Sequence, residues 1–132
     1  MTAQNIRCAA LLLLASTAVS AAASASALSG TWQVKRMAAA EPPVPLVFEM
    51  DGAGAFHSKG GCNVINTRYT QHGGSLKFRP AASTRMMCAE EQMKADQMLE
   101  DALQKTRRYR IRSGHLEWLD AKGRVLLRAI PG

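Results

Sequence analysis

The chain has 132 residues, with seventeen Lys plus Arg against ten Asp plus Glu, a formal net charge of +7 and three cysteines. This length accommodates one domain and excludes two sizeable ones. A hydrophobic content of 47% with 20% charged residues excludes a disordered chain.

Residues 1–27 read as a secretory signal peptide. Arg7 supplies the positive end, Cys8 through Val19 run apolar, and Ala23-Ser24-Ala25-Ser26-Ala27 end the segment in the small residues that a signal peptidase needs. Cleavage is expected after Ala25 or Ala27. The apolar run is shorter than the ~18 residues that a transmembrane helix requires, so removal is expected rather than anchorage. Cys8 precedes the run, whereas a lipid-bearing cysteine follows it, and no lipid anchor is expected. The domain proper is then residues 28–132, periplasmic or secreted, with no transmembrane segment. Without Arg7 it holds sixteen basic and ten acidic side chains, a formal charge of +6.

Losing Cys8 leaves the even pair Cys62 and Cys88 in a chain bound for an oxidising compartment, and a single disulfide is the natural reading. The alternatives are a reactive thiol or a metal pair. Zinc wants four ligands at tighter spacing, and His57 is the only histidine near either cysteine. No Cys-x-x-Cys redox motif is present. No metal and no cofactor are expected.

From Leu28 to Arg79 short apolar stretches alternate with turn residues, the pattern of an antiparallel meander. Thr31–Met37 carries Trp32 and Val34, Leu46–Met50 places Leu46, Phe48 and Met50 on one face, and Asp51-Gly52-Ala53-Gly54 supplies a hairpin turn. A third strand holds Phe56. Gly60-Gly61-Cys62-Asn63 interrupts the pattern, where two glycines allow positive φ or a close backbone approach. Val64–Thr70, a turn at His72-Gly73-Gly74, and Ser75–Arg79 follow, with Leu76 and Phe78 sharing a face.

Between Ser83 and Arg107 the period changes to 3.6, with Ala95, Met98, Leu99, Ala102 and Leu103 at helical spacing. One amphipathic helix is expected, with Glu90 and Glu91 in its first turn, Lys105 and Arg107 at its end, and an i,i+4 pair between Asp101 and Lys105. Strands return at Tyr109–Arg112, Leu116–Asp120 and Val125–Ile130, with turns at Ser113-Gly114 and Ala121-Lys122-Gly123. Tyr69, Gly74, Leu76 and Phe78 have the spacing of Tyr109, Gly114, Leu116 and Trp118, so the same hairpin is expected on both sides of the helix. The fold class is α+β, mainly β: a curved antiparallel sheet or open barrel of about seven or eight short strands with one helix packed on it.

Leu28-Ser29-Gly30-Thr31-Trp32-Gln33-Val34, Gly61-Cys62-Asn63, Ser83-Thr84-Arg85-Met86-Met87-Cys88, Asp96-Gln97-Met98-Leu99 and Tyr109-Arg110-Ile111 together resemble the META domain family of HslJ-like heat-shock proteins. The resemblance covers essentially all of residues 28–132. It implies a secreted or envelope-associated domain of antiparallel sheet plus one helix, linked in some members to stress responses and novobiocin resistance, with no catalytic activity and no agreed ligand. Asp96 occupies a position where Glu is expected, and the cysteine that anchors lipid-bearing members is missing.

The resemblance is densest at Gly61, Asn63, Thr84 and Met87. If Cys62 and Cys88 are joined, these residues form one corner. Asn63 suits a turn and Thr84 the cap of the segment leading into the helix, so a structural role is favoured over a ligand-binding one. Met86, Met87, Met93 and Met98 lie close to Cys88 and offer thioethers to copper, but core packing is the favoured reading.

Arg108, Arg110 and Arg112 alternate with Tyr109 and Ile111, which places three guanidinium groups on one strand face about 6–7 Å apart and the other two side chains toward the core. Lys105, Arg107, Lys122, Arg124 and Arg128 extend the patch if the last strands pair beside it. Such a face attracts an anionic glycolipid or an acidic protein, although charge that blocks edge pairing is the simpler reading. Nucleic acid is not expected as a partner, and a monomer is. His57, His72 and His115 are expected at the surface. No nucleophile motif appears, and no catalytic residue or enzyme activity is expected. A small-molecule carrier would need an interior not filled by Trp32, Phe48, Phe78, Leu99, Leu116 and Trp118.

Overall fold

A computed structural model describes residues 25–38 and 40–132; the expected signal peptide lies outside the described residues except for Ala25–Ala27. The elements are α1 (Ala25–Leu28), β1 (Gly30–Met37), β2 (Val47–Met50), β3 (Ala55–Lys59), β4 (Val64–His72), β5 (Ser75–Phe78), β6 (Ala82–Ser83), α2 (Glu90–Lys105), β7 (Arg108–Arg112), β8 (His115–Leu119) and β9 (Val125–Pro131). The strands pair antiparallel in the order β3-β2-β1-β9-β8-β7-β5-β4-β6, and a further β3–β4 pairing makes the sheet ring-like. The expected mainly-β fold with one long helix is what forms. The two-residue β6 is added to the expected strands because Ser83 and Ala82 pair with Ile65 and Asn66. Too short for any periodicity, it carried no signal in the sequence.

The internal echo is one of register. Tyr69 pairs with Phe78 across β4–β5, and Tyr109 pairs with Trp118 across β7–β8. Both hairpins close with two-residue loops. Gly73 alone has a positive φ in the first, whereas Ser113 and Gly114 both do in the second, so the same pairing is reached through different turns. Tyrosine anchors both units: the Tyr69 hydroxyl accepts the Gly52 N–H at 3.0 Å, and that of Tyr109 accepts from the Gln71 amide at 2.6 Å. Burial raises both phenols above their ordinary value.

Strand alternation fills the ring with aromatic side chains. Trp118 is fully buried, with its ring centroid 5.0 Å from Phe48, 4.8 Å from Phe78 and 5.9 Å from Phe56. Each such side chain contributes roughly 1.5–3 kcal/mol by leaving water. Trp32, Phe48, Phe78, Leu99, Leu116 and Trp118 are all buried, so the interior that a carrier would need is occupied. The core begins at Leu28, itself fully buried, whose carbonyl accepts the Trp32 indole N–H at 3.0 Å.

The helix touches β1, β5 and β9 and so lies across the ring rather than along one strand pair. It buries Ala95, Asp96, Leu99, Ala102 and Leu103, with Glu90 and Glu91 in the first turn and Lys105 in the last. It ends before Arg107. That guanidinium instead donates to the Gln104 and Thr106 carbonyls at 3.0 and 2.8 Å, caring for the orphan acceptors of the last turn. The pair expected between Asp101 and Lys105 is not among the ion pairs formed.

Two further expectations are corrected. Ile111 pairs with Leu116 but is 38% exposed, because it sits beside the hairpin turn, where a core-facing parity no longer guarantees cover. Met86, Met87 and Met93 are not core residues. They are exposed, whereas Met37 and Met50 are buried and Met98 packs partly on the core. Among the described residues no helix is long and apolar enough to cross a membrane.

Candidate functional site

Three segments distant in sequence meet at one corner. Cys62 and Cys88 form the disulfide, with Cα atoms 5.8 Å apart. Asp96, on the buried side of α2, accepts the backbone N–H groups of Cys62 and Asn63 on one carboxylate oxygen, at 3.0 and 2.7 Å. The Asn63 side-chain carbonyl accepts from the Thr84 hydroxyl at 3.0 Å and from the Met86 N–H at 2.6 Å. Thr84 also accepts the Val64 N–H through its hydroxyl at 3.0 Å. The other Asp96 oxygen is buried without a hydrogen-bond partner and lies against Gly61.

This geometry explains the glycine. Neither Gly60 nor Gly61 adopts a positive φ; the requirement is close approach. A Cβ on Gly61 would overlap the Asp96 carboxylate and stand 2.8 Å from the Gln92 carbonyl. Thr84 does not cap the helix as expected. The residue before the helix is Ala89, and its N–H is satisfied by the Gln92 side chain at 3.1 Å, which frees Thr84 to bridge Asn63 and Val64. Asn63 likewise bonds the 84–86 segment rather than its own turn. Gly61, Asn63 and Thr84 are thus brought together, while Met87 stands out from them at 88% exposure.

The second candidate surface lies on the outside of the ring. In register across four strands run Arg110, Glu117, Arg128 and Arg36. Glu117 is only 2% exposed, with Arg110 Nε at 2.6 Å from one oxygen and Arg128 Nη2 at 2.8 Å from the other. Burial opposes ionisation of this carboxyl, but hydrogen bonds and charge from the two arginines outweigh it and hold it below the ordinary glutamate value. Arg108 and Arg112 flank Arg110 on β7 and are exposed.

Beyond the strand ends, Lys105, Arg107, Lys122 and Arg124 line a shallow depression with Asp120. Asp120 organises the turn: it accepts the Lys122 and Arg124 N–H groups, each at 2.9 Å, and pairs with Arg124 Nε at 2.7 Å. These bonds, the Arg124 N–H first among them, lower its carboxyl below the ordinary aspartate value. Residues 105–132 hold eight basic and two acidic side chains, whereas residues 28–104 hold eight of each. The whole positive balance of the domain therefore comes from this surface. Sequence reading missed Glu117 and Arg36. Glu117 was accessible to it, because the two-residue turn at Ser113-Gly114 sets Glu117 opposite Arg110; Arg36 was not, because a register shift in β1 between Val34 and Arg36 precedes it.

His57, His72 and His115 are exposed, as expected. Among the described residues no group of three or more His, Cys, Asp or Glu is placed to hold a metal ion.

The META domain family profile matches residues 25–130. The chain belongs to the META domain family. Among solved structures this META domain is similar to the NMR structure of a protein from Burkholderia xenovorans, at 17% identity and a TM-score of 0.66, covering 84% of this chain and 87% of that one. It is also similar to a second NMR structure at 16% identity and a TM-score of 0.60, covering 78% and 90% of the two chains. At these identities the likeness is one of fold. None of the curated proteins matches the chain.

Proposed function

We propose that this META domain is a non-enzymatic, exported envelope protein that supports stress tolerance by binding, and that its binding surface is the basic outer face of β7, β8 and β9 with the adjoining 105–124 cluster. The observation that carries the reading is the confinement of the entire positive balance to residues 105–132 while the rest of the domain is neutral. Charge scattered for solubility would not segregate in this way. The partner that fits is an anionic glycolipid or a comparably acidic protein surface. The motif corner, in contrast, spends most of its polar groups on one another, which supports a role in holding the fold.

The test is retention of the exported domain on immobilised anionic lipopolysaccharide across a salt series. Retention should weaken steeply with salt, since the Debye length shrinks from about 10 Å at 0.1 M to about 3 Å at 1 M. Arg108→Glu with Arg112→Glu should abolish most of it without unfolding the domain, because neither residue pairs with the buried Glu117. Retention that ignores both salt and the double reversal would sink the proposal.

A further inference from the structure

A cleft of about 660 Å³ lies between α2 and the segment 79–87. Met86, Met87 and Met93 all line it, and they are 58%, 88% and 39% exposed. They are three of the five large hydrophobic side chains exposed among the described residues. Among the described residues the other methionines belong to the core or pack on it, Met37 and Met50 buried and Met98 partly so. Packing therefore does not account for the cluster.

The loop that presents two of these side chains is held firmly. The disulfide at Cys88 fixes one end, Thr84 is hydrogen-bonded to Asn63 and Val64, and the Met86 N–H is held by the Asn63 side chain. Met93 faces the loop from the first turns of α2. The cleft's charged lining is balanced, with Arg79, Arg85 and Lys94 against Glu90, Asp96 and Glu100, so a monovalent cation meets no net repulsion. Cys62 and Cys88 are consumed in the disulfide and cannot serve as thiolate ligands.

We propose that this cleft is a soft-metal site in which the thioethers of Met86, Met87 and Met93 hold one monovalent ion of the copper(I) or silver(I) class. Neutral sulfur donors select such ions over zinc, calcium or magnesium. Thioethers carry no proton to lose, so binding is independent of pH, unlike that of thiolate, imidazole or carboxylate sites.

The test uses silver(I) nitrate in chloride-free buffer, with methyl-labelled methionine followed by NMR. One equivalent should shift the signals of Met86, Met87 and Met93 together and leave Met37 and Met50 in place, with equal affinity at pH 7 and pH 5.5. Met86→Leu, Met87→Leu and Met93→Leu combined should weaken binding by at least about tenfold while the melting temperature holds, because these side chains are outside the core. Silver that shifts one methionine alone, binds the triple variant equally well, or loses affinity at the lower pH would overturn the assignment.

Discussion

At the motif corner, residues from three segments satisfy one another: Asp96 serves the 62–63 backbone, Asn63 serves the 84–86 segment, and the disulfide closes the arrangement. On the basic face, one buried carboxylate serves two arginines, and most of the remaining cations project into water. The corner depends on the identity of each residue, since a changed atom leaves a donor unpaired or a contact overlapped. The face depends on charge and alternation, and most of its members can change without disturbing the fold. A dense motif thus marks what holds this domain together, and the less distinctive surface is the one left available to a partner.

The sharpest way to break the corner is Asp96→Ala. It removes a carboxylate that accepts two backbone N–H groups, each such charge-assisted bond being worth roughly 1.5–3 kcal/mol, and leaves both donors without an acceptor. A loss of about 4 kcal/mol is expected in urea unfolding, with the same disulfide still formed. A loss below about 1 kcal/mol, the scale of an ordinary surface change, would show that the corner is not held by this residue.

Reduction of Cys62–Cys88 comes next. The cysteines are 26 residues apart, and a crosslink closing a loop of that size stabilises by about 3.5 kcal/mol in the chain-entropy model. For a domain this small that is a large share of the total, and the melting temperature should fall by at least about 10 °C. The same treatment should leave the salt-dependent retention of still-folded protein intact, since the basic face lies elsewhere. A reduced protein that melts as the oxidised one does would remove the disulfide from the corner's structural account.

Much of this was legible in the sequence. Period-two alternation located the strands, the 3.6-residue period located α2, and the matched spacing of Tyr69 and Tyr109 anticipated two hairpins in one register. The even cysteine count expected once residues 1–27 are set aside anticipated the disulfide. What escaped was set by tertiary contact. Asp96 gave no sign that it turns inward to meet a backbone 33 residues away. Thr84 reads in the sequence as capping the segment that leads into the helix, yet its hydroxyl is taken up by Asn63 and Val64, partners some twenty residues away. The methionines looked like core because the residue type favours it, and only packing shows that Met86, Met87 and Met93 are left outside.

Glu117 is where the two regions come close in kind, since it serves two partners through a buried carboxylate as Asp96 does at the corner. Its folded-state carboxyl is lowered, so its contribution is present above the unfolded-state value, near 4.5, and is lost as pH falls through the lower folded value. Asp51, whose bonds from the Ala55 and Ala53 N–H groups lower it, and Asp120 add to the same acid limb. Glu117→Gln should cost about 1–2 kcal/mol at neutral pH through its charge-assisted bonds and should flatten, without abolishing, the decline in stability below that value. An acid limb as steep in the variant as in the parent would show that the two arginines gain nothing from the charge they enclose. The same variant should bind the anionic resin more tightly at neutral pH, because removing the one carboxylate among Arg110, Arg128 and Arg36 leaves the row more positive.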